Sequence, residues 1–150
     1  MLSTTNDGGL AAINLTGNAF GQTINGNAGA NILNGLGGND TLTGFGGSDN
    51  FRFTTALNAA TNVDQITDFN VVDDTIQLDH AVFLGLVAGV LDPNAFRIGA
   101  AAADADDRVI YNDATGALIF DSNGNDAGGD TQFATLSGGL LLTHSDFIVF

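Results

Sequence analysis

Gly26-Asn-Ala-Gly-Ala-Asn-Ile-Leu-Asn34, Gly35-Leu-Gly-Gly-Asn-Asp-Thr-Leu-Thr43 and Gly44-Phe-Gly-Gly-Ser-Asp-Asn-Phe-Arg52 follow one another without a gap. Each block has Gly at its first and fourth positions, Asn or Asp at its sixth and a large apolar residue at its eighth. Upstream, Gly17 to Asn25 keeps the frame with Phe20 in place of the second Gly, and Gly8 to Thr16 keeps only Gly8, Gly9 and Leu15. A short fixed period of glycine, one acid or amide and one hydrophobe predicts a parallel β-roll. Such units bury one side chain each and are stable only when stacked.

Composition narrows what the roll can do. At 150 residues the chain is one domain, or one domain with a capping region. All 17 acids are Asp, there is no Lys, and the basic residues are Arg52, Arg97 and Arg108, for a net charge of −14. A chain so charged repels nucleic acid and acidic membrane surfaces, and repels itself unless cations neutralise it. Asp is a short oxygen donor suited to turns and to hard cations, so calcium is the expected partner. A mean hydropathy of +0.19 still allows a core. Absent cysteine excludes disulfides and thiol chemistry. Met1 to Gly9 has neither the basic start nor the apolar stretch of a cleavable signal, so export would need a route without one. The longest apolar run, Ala81 to Leu91, is too short to span a bilayer, and no stable membrane insertion is expected.

The chain divides by composition into a glycine-rich array, residues 8–53, and an acid- and aromatic-rich region, residues 54–150. Alternating polar and apolar residues predict strands at 65–69 and 75–79, with a turn at 71–74 between them. Ala81 to Val90 reads as a short helix or a buried strand, and periodicity alone does not decide between them. Strands are expected at 95–98, at 108–111 and 117–120 as a hairpin whose loop ends at Gly116, and at 133–136, 140–142 and 146–150.

The repeats resemble those of the RTX family, the glycine- and aspartate-rich proteins exported by type I secretion in Gram-negative bacteria. Ser48 to Phe53, Asp64 to Phe69 and Asp74 to Asp79 resemble the segment after the repeats in serralysin-type C-terminal domains. Arg108 to Asp121, Gln132 to Leu136 and Asp146 to Phe150 resemble the terminal module of many such proteins. The resemblance covers residues 17–150 and implies an all-β fold: a right-handed parallel β-roll of nonapeptide repeats, capped by a C-terminal β-sandwich-like region.

The resemblance also implies calcium between stacked loops, held by backbone carbonyls and Asp carboxylates. Two repeats make one turn, so the loop ending at Asp49 should stack on that ending at Asn31, and the loop ending at Asp40 on that ending at Gln22. Carried over residue by residue, the metal positions are Asp40, Asp49, Asn31, Gly26, Gly29, Gly35, Gly38, Gly44 and Gly47. Asp64 and Asp68 are the expected partners of Asp40 and Asp49 on the C-terminal side. Asn31 and Gln22 depart from the family's Asp-Asp pairing and supply neutral oxygens, which weakens the sites they complete. Ile24, Leu33, Leu42 and Phe51 should fill the core. A second oxygen-rich loop, Asp121 to Asp126, has the opening spacing of an EF-hand but no Glu at its end, and reads better as a polar turn.

No catalytic constellation accompanies these motifs. His-Glu-x-x-His, a Walker loop and a complete nucleophile elbow are all missing, and His144, Ser145 and Asp146 are merely adjacent. The expected function is a calcium-binding module, not itself an enzyme. It would fold outside the cell and carry a C-terminal type I secretion signal read by an ABC-transporter exporter. The alternatives are an accessory module of a secreted enzyme (a protease, lipase or alginate epimerase) with a catalytic domain upstream, or a surface protein that adheres to polysaccharide.

Overall fold

The computed structural model describes residues 1–3 and 6–150. The fold is all-β, and among the described residues its strands are numbered β1 to β14 along the chain. One sheet has the order β1 (Leu2–Ser3), β3 (Thr23–Asn27), β5 (Thr41–Phe45), β7 (Asp64–Ile66), β13 (Asp130–Thr135), β12 (Ala117–Asp121), β11 (Val109–Asn112) and β10 (Phe96–Ile98). The other has the order β2 (Ile13–Asn18), β4 (Asn31–Leu36), β6 (Asn50–Phe53), β8 (Thr75–Leu78), β14 (Phe147–Val149) and β9 (Gly89–Val90).

Successive repeats therefore alternate between the sheets, and every strand of the array pairs in parallel with the strand two repeats away. Ile24 lies opposite Leu42 and Leu33 opposite Phe51, a step of 18 residues, or two nonapeptides per turn. Their four side chains have no solvent exposure. Each strand contributes one core residue from its own side, which is what a single hydrophobe at position eight allows. Between strands the chain turns in a glycine loop. Gly38 and Gly47 have φ of +101°, a backbone state closed to most L-residues. At the second position of the same repeats, Leu36 and Phe45 also take positive φ, 68° and 73°, so the loop geometry overrides the preference of its side chains.

The ladder does not stop with the last nonapeptide. β7 adds to β5 and β8 to β6, with Leu42 opposite Ile66 and Phe51 opposite Ile76. The register steps are now 24 (66 − 42) and 25 (76 − 51), because longer connections replace the six-residue loops. β13 then pairs in parallel with β7, and β14 with β8, so both sheets run on without a break from the array into the C-terminal region. β11, β12 and β13 form an antiparallel meander, and Gly116 closes its first hairpin at φ +80°.

Most strand expectations match, and the departures have physical causes. Ala81 to Val90 is neither a helix nor a buried strand. It is a run of turns in which Phe83 is wholly buried, while Leu84 and Val87 are exposed and only Gly89–Val90 pairs with β14. Phe83 packs edge-on against Phe120 and Phe133 of the eight-stranded sheet, with centroids 5.2 and 5.1 Å apart. Residues 140–142 form no strand. The Leu140 N–H donates to the Tyr111 hydroxyl, 3.1 Å away, and Leu142 fills the core from an irregular backbone. At the C-terminus Asp146 belongs to a 3-10 turn, His144–Asp146, whose capping box it closes with Thr143, and the strand begins at Phe147. Phe147 and Val149 face inward as the alternation requires, and Ile148 is half-buried. Among the described residues no helix is long and apolar enough to cross a membrane.

Candidate metal centre

The sixth-position residues form two columns, one at each edge of the roll. In the first, the Gln22 N–H donates to Asp40 Oδ1 at 2.6 Å, and the Asp40 N–H donates to Asp64 Oδ1 at 3.0 Å. In the second, the Asn31 N–H donates to Asp49 Oδ1 at 2.8 Å, and the Asp49 N–H donates to Asp74 Oδ1 at 2.9 Å. Each carboxylate thus spends one oxygen on the backbone of the preceding turn. The loop stacking expected from the period, Asp40 on Gln22 and Asp49 on Asn31, is what these bonds describe.

The second oxygens are left facing the loops. Asp40 Oδ2 is closed off from solvent and has no hydrogen-bond partner. A Cβ built on Gly35 would collide with this oxygen and lie 3.0 Å from Asp64 Oδ2, so the two carboxylates converge over the bare Cα of Gly35. Gly44 stands in the same relation to Asp49 Oδ2. A Cβ on Gly26 would lie 2.9 Å from both Asn31 Oδ1 and the Gly44 carbonyl oxygen. First-position glycines therefore bring backbone carbonyls and position-six oxygens to one point. The fourth-position glycines act differently. Cβ atoms on Gly29, Gly38 and Gly47 would run into the backbone of the neighbouring turn, so these glycines set the loop spacing. Gly29 also offers its carbonyl to Asn31 Nδ2.

Asp64 sits against Asp40 as expected, at a step of 24 residues rather than the 18 of the array. Asp68 does not stack on Asp49. Its two oxygens accept from the Gly44 and Phe45 N–H groups at 3.0 and 2.7 Å, at the start of that loop. The stacking partner of Asp49 is Asp74, whose Oδ2 also accepts from Asn70 at 2.9 Å. Asp74 is missed by strict nine-residue counting, because ten residues separate it from Asp64. A signal was present: an acid two residues before a core hydrophobe recurs as Asp40/Leu42, Asp49/Phe51, Asp64/Ile66 and Asp74/Ile76.

Burial governs the protonation of these groups. It raises the carboxyls of Asp40 and Asp49 above the ordinary value, and the bonds from Gln22 and Asn31 only partly offset this. Asp64 is pushed up to about 7, first by burial and then by the charge of Asp40. Asp74 is pushed up to about 6, first by burial and then by Asp49 and Asp68. None of the three arginines pairs with any of the four; among the described residues the one ion pair joins Arg97 to Asp107. Four buried acids without a protein cation fit a bound divalent ion, which would supply the missing charge. Among the described residues no three acidic or histidine side chains converge tightly enough to cage an ion alone, so carbonyl oxygens would have to complete the shell.

The Asp121 to Asp130 loop behaves as a polar turn. Asp121 is buried, and its Oδ1 accepts from the Asn123 N–H at 3.0 Å.

A scan against protein-family models finds no match, and a search of curated proteins finds none either. Among solved structures, the chain is similar to the solution structure of the AlgE6R3 subunit from the Azotobacter vinelandii mannuronan C5-epimerase. Identity is 24%, coverage is 91% of this chain and 77% of that chain, and the TM-score is 0.46.

Proposed function

We propose that this chain is a calcium-binding module of the RTX kind, without an active site of its own, that orders when it meets calcium outside the cell. The observation that carries this reading is Asp40 Oδ2, buried and unpartnered, facing Asp64 across Gly35. One ion would be held by Asp40, Asp64 and the Gly35 loop, with Gln22 above. A second would be held by Asp49, Asp74 and the Gly44 loop, with Asn31 above and Asp68 alongside. Bound there, calcium supplies positive charge that removes the repulsion within each column and fixes adjacent loops in stacking register. Inside a cell, scarce free calcium would leave glycine entropy and acid repulsion to keep the chain loose.

The test is a calcium titration read by circular dichroism. Asp49→Ala removes a charged position-six oxygen and should shift the midpoint to at least several-fold higher calcium. Asp106→Ala lowers the net charge equally but lies in an exposed loop outside both columns, and should leave the midpoint unchanged. Equal shifts for the two variants would mean that bulk charge, not loop geometry, controls binding.

The export role belongs to the same proposal. β14 lies inside its sheet between β8 and β9, and the Phe150 carbonyl accepts from the His80 N–H at 3.0 Å, so an exporter would read this segment before the sheet takes it up. Residues 95–150 fused to a passenger, in cells with a type I exporter, should reach the medium. Deleting 146–150 should stop this, and undiminished passenger after the deletion would leave those residues a purely structural role.

A further inference from the structure

Two of the three arginines have protein partners. The Arg52 guanidinium donates to Gln77 Oε1 at 2.9 and 2.7 Å and lies 4.7 Å over the Phe150 ring. Arg97 donates to the Ala101 carbonyl at 3.1 Å and lies 3.9 Å from Asp107 Oδ2. Arg108 differs. Its Nη1 is closed off from solvent and has no acceptor. Among the described residues no carboxylate lies within ion-pair distance of it.

In a chain with 17 acids this is not for want of carboxylates. Two neighbouring acids are committed elsewhere, and Asp106, on the cleft rim, lies beyond ion-pair distance. Asp107 Oδ2 accepts from the Ala103 N–H at 2.7 Å and faces Arg97. Asp92 caps the Pro93–Ala95 turn through the Asn94 N–H at 2.8 Å. A guanidinium has donors only, so the enclosed Nη1 donors gain a partner only when the half-buried side chain shifts to present them to an incoming acceptor.

Arg108 lines a cleft of about 530 Å³ together with the aliphatic Leu86, Val87, Val90 and Leu91. Val87 and Val90 are 82% and 56% exposed, so a hydrophobic surface stands open beside the cation. The volume is in the range of small-molecule sites. Asp92 and Asp106 border the same cleft and repel anions, so a singly charged ligand is opposed less than a dianion. A carboxylate matches the planar fork of Arg bidentately.

We propose that this cleft binds a small aliphatic monocarboxylate, its carboxylate on Arg108 and its chain along Val87 and Val90. The site is separate from the calcium columns and does not depend on them. The test uses the full chain at saturating calcium, titrated with hexanoate and followed by amide NMR shifts. Saturable shifts are expected around Gly85, Gly89 and Arg108, with a dissociation constant on the order of 1 mM. Hexanol and inorganic phosphate, each lacking one half of the recognition, should bind at least tenfold more weakly. Arg108→Gln should lose at least tenfold in hexanoate affinity. If that variant fails to fold, Val87→Asp decides, because its side chain is exposed and its new charge repels the ligand. Absence of saturable shifts up to about 20 mM, equal binding of hexanol or phosphate, or undiminished binding by a folded Arg108→Gln or Val87→Asp protein would each overturn the proposal.

Discussion

Removing calcium is expected to lower the melting temperature of this chain by roughly 10–20 °C, and restoring it to millimolar levels should reverse the loss. A ligand that binds only the folded state adds about 2.7 kcal/mol per site at a hundredfold excess over its dissociation constant. Two such sites give roughly 5 kcal/mol, and each kcal/mol moves the midpoint of a chain of this size by about 2–4 °C. The effect should be larger than in a protein with peripheral calcium, because the two columns lie on β7 and β8. These are the strands against which β13 and β14 pair, so loosening the loops removes the template for the C-terminal region. Magnesium should substitute poorly, since it requires tighter octahedral geometry and these loops offer spaced carbonyls and carboxylates. Equal melting temperatures in chelator and in millimolar calcium would sink the folding-switch reading.

How far the sequence carried this reading varies along the chain. Wherever the nine-residue frame is intact, the strand, the inward side chain and the loop partner all follow from counting. Ile24, Leu33, Leu42 and Phe51 are all wholly buried, and Asp40 and Asp49 stack as the period requires. The frame fails where connections lengthen. The sequence offers Asp68 as the partner of Asp49, but Asp68 holds the Gly44–Phe45 backbone and Asp74, 25 residues beyond Asp49, takes the place. In the C-terminal region, alternation located strands whose two faces differ in environment. It could not find Phe83, because a turn that buries one aromatic ring against a sheet needs only that side chain apolar and leaves Leu84 and Val87 in water. Nor could it foresee that the Tyr111 hydroxyl takes the Leu140 N–H, a bond between residues 29 apart. Arg108 illustrates a third limit. A guanidinium in an acidic sequence reads as paired, and only the geometry shows Asp92 and Asp107 bonded elsewhere and Asp106 out of ion-pair reach.

Asp64→Asn is expected to have opposite effects with and without calcium. In calcium-free buffer the Asp64 carboxyl, raised from 3.8 to about 7, weakens the folded state whenever it is ionised. Its stabilising protonated form is complete below its unfolded value and is lost as the pH rises through about 7. A rise of this size corresponds to roughly 4 kcal/mol, so the calcium-free parent should melt lower at pH 8 than at pH 5. Asn removes the charge and keeps the oxygen that accepts from the Asp40 N–H. Its amide can also donate to the orphaned Asp40 Oδ2. An amide-to-carboxylate bond already occurs in the other column, from the preceding turn: Asn31 Nδ2 donates to Asp49 Oδ1 at 3.0 Å. The variant should therefore melt higher than the parent at pH 8 without calcium, by up to roughly 10 °C, and the two should converge near pH 4. With calcium the order reverses, because one of the two carboxylates facing the ion is gone, and the midpoint should move at least tenfold toward higher calcium. An Asp64→Asn protein that melts lower than its parent in calcium-free buffer at pH 8 would show that the Asp40–Asp64 pair is not the repulsive contact described here. A variant with an unchanged calcium midpoint would remove Asp64 from the ion's shell.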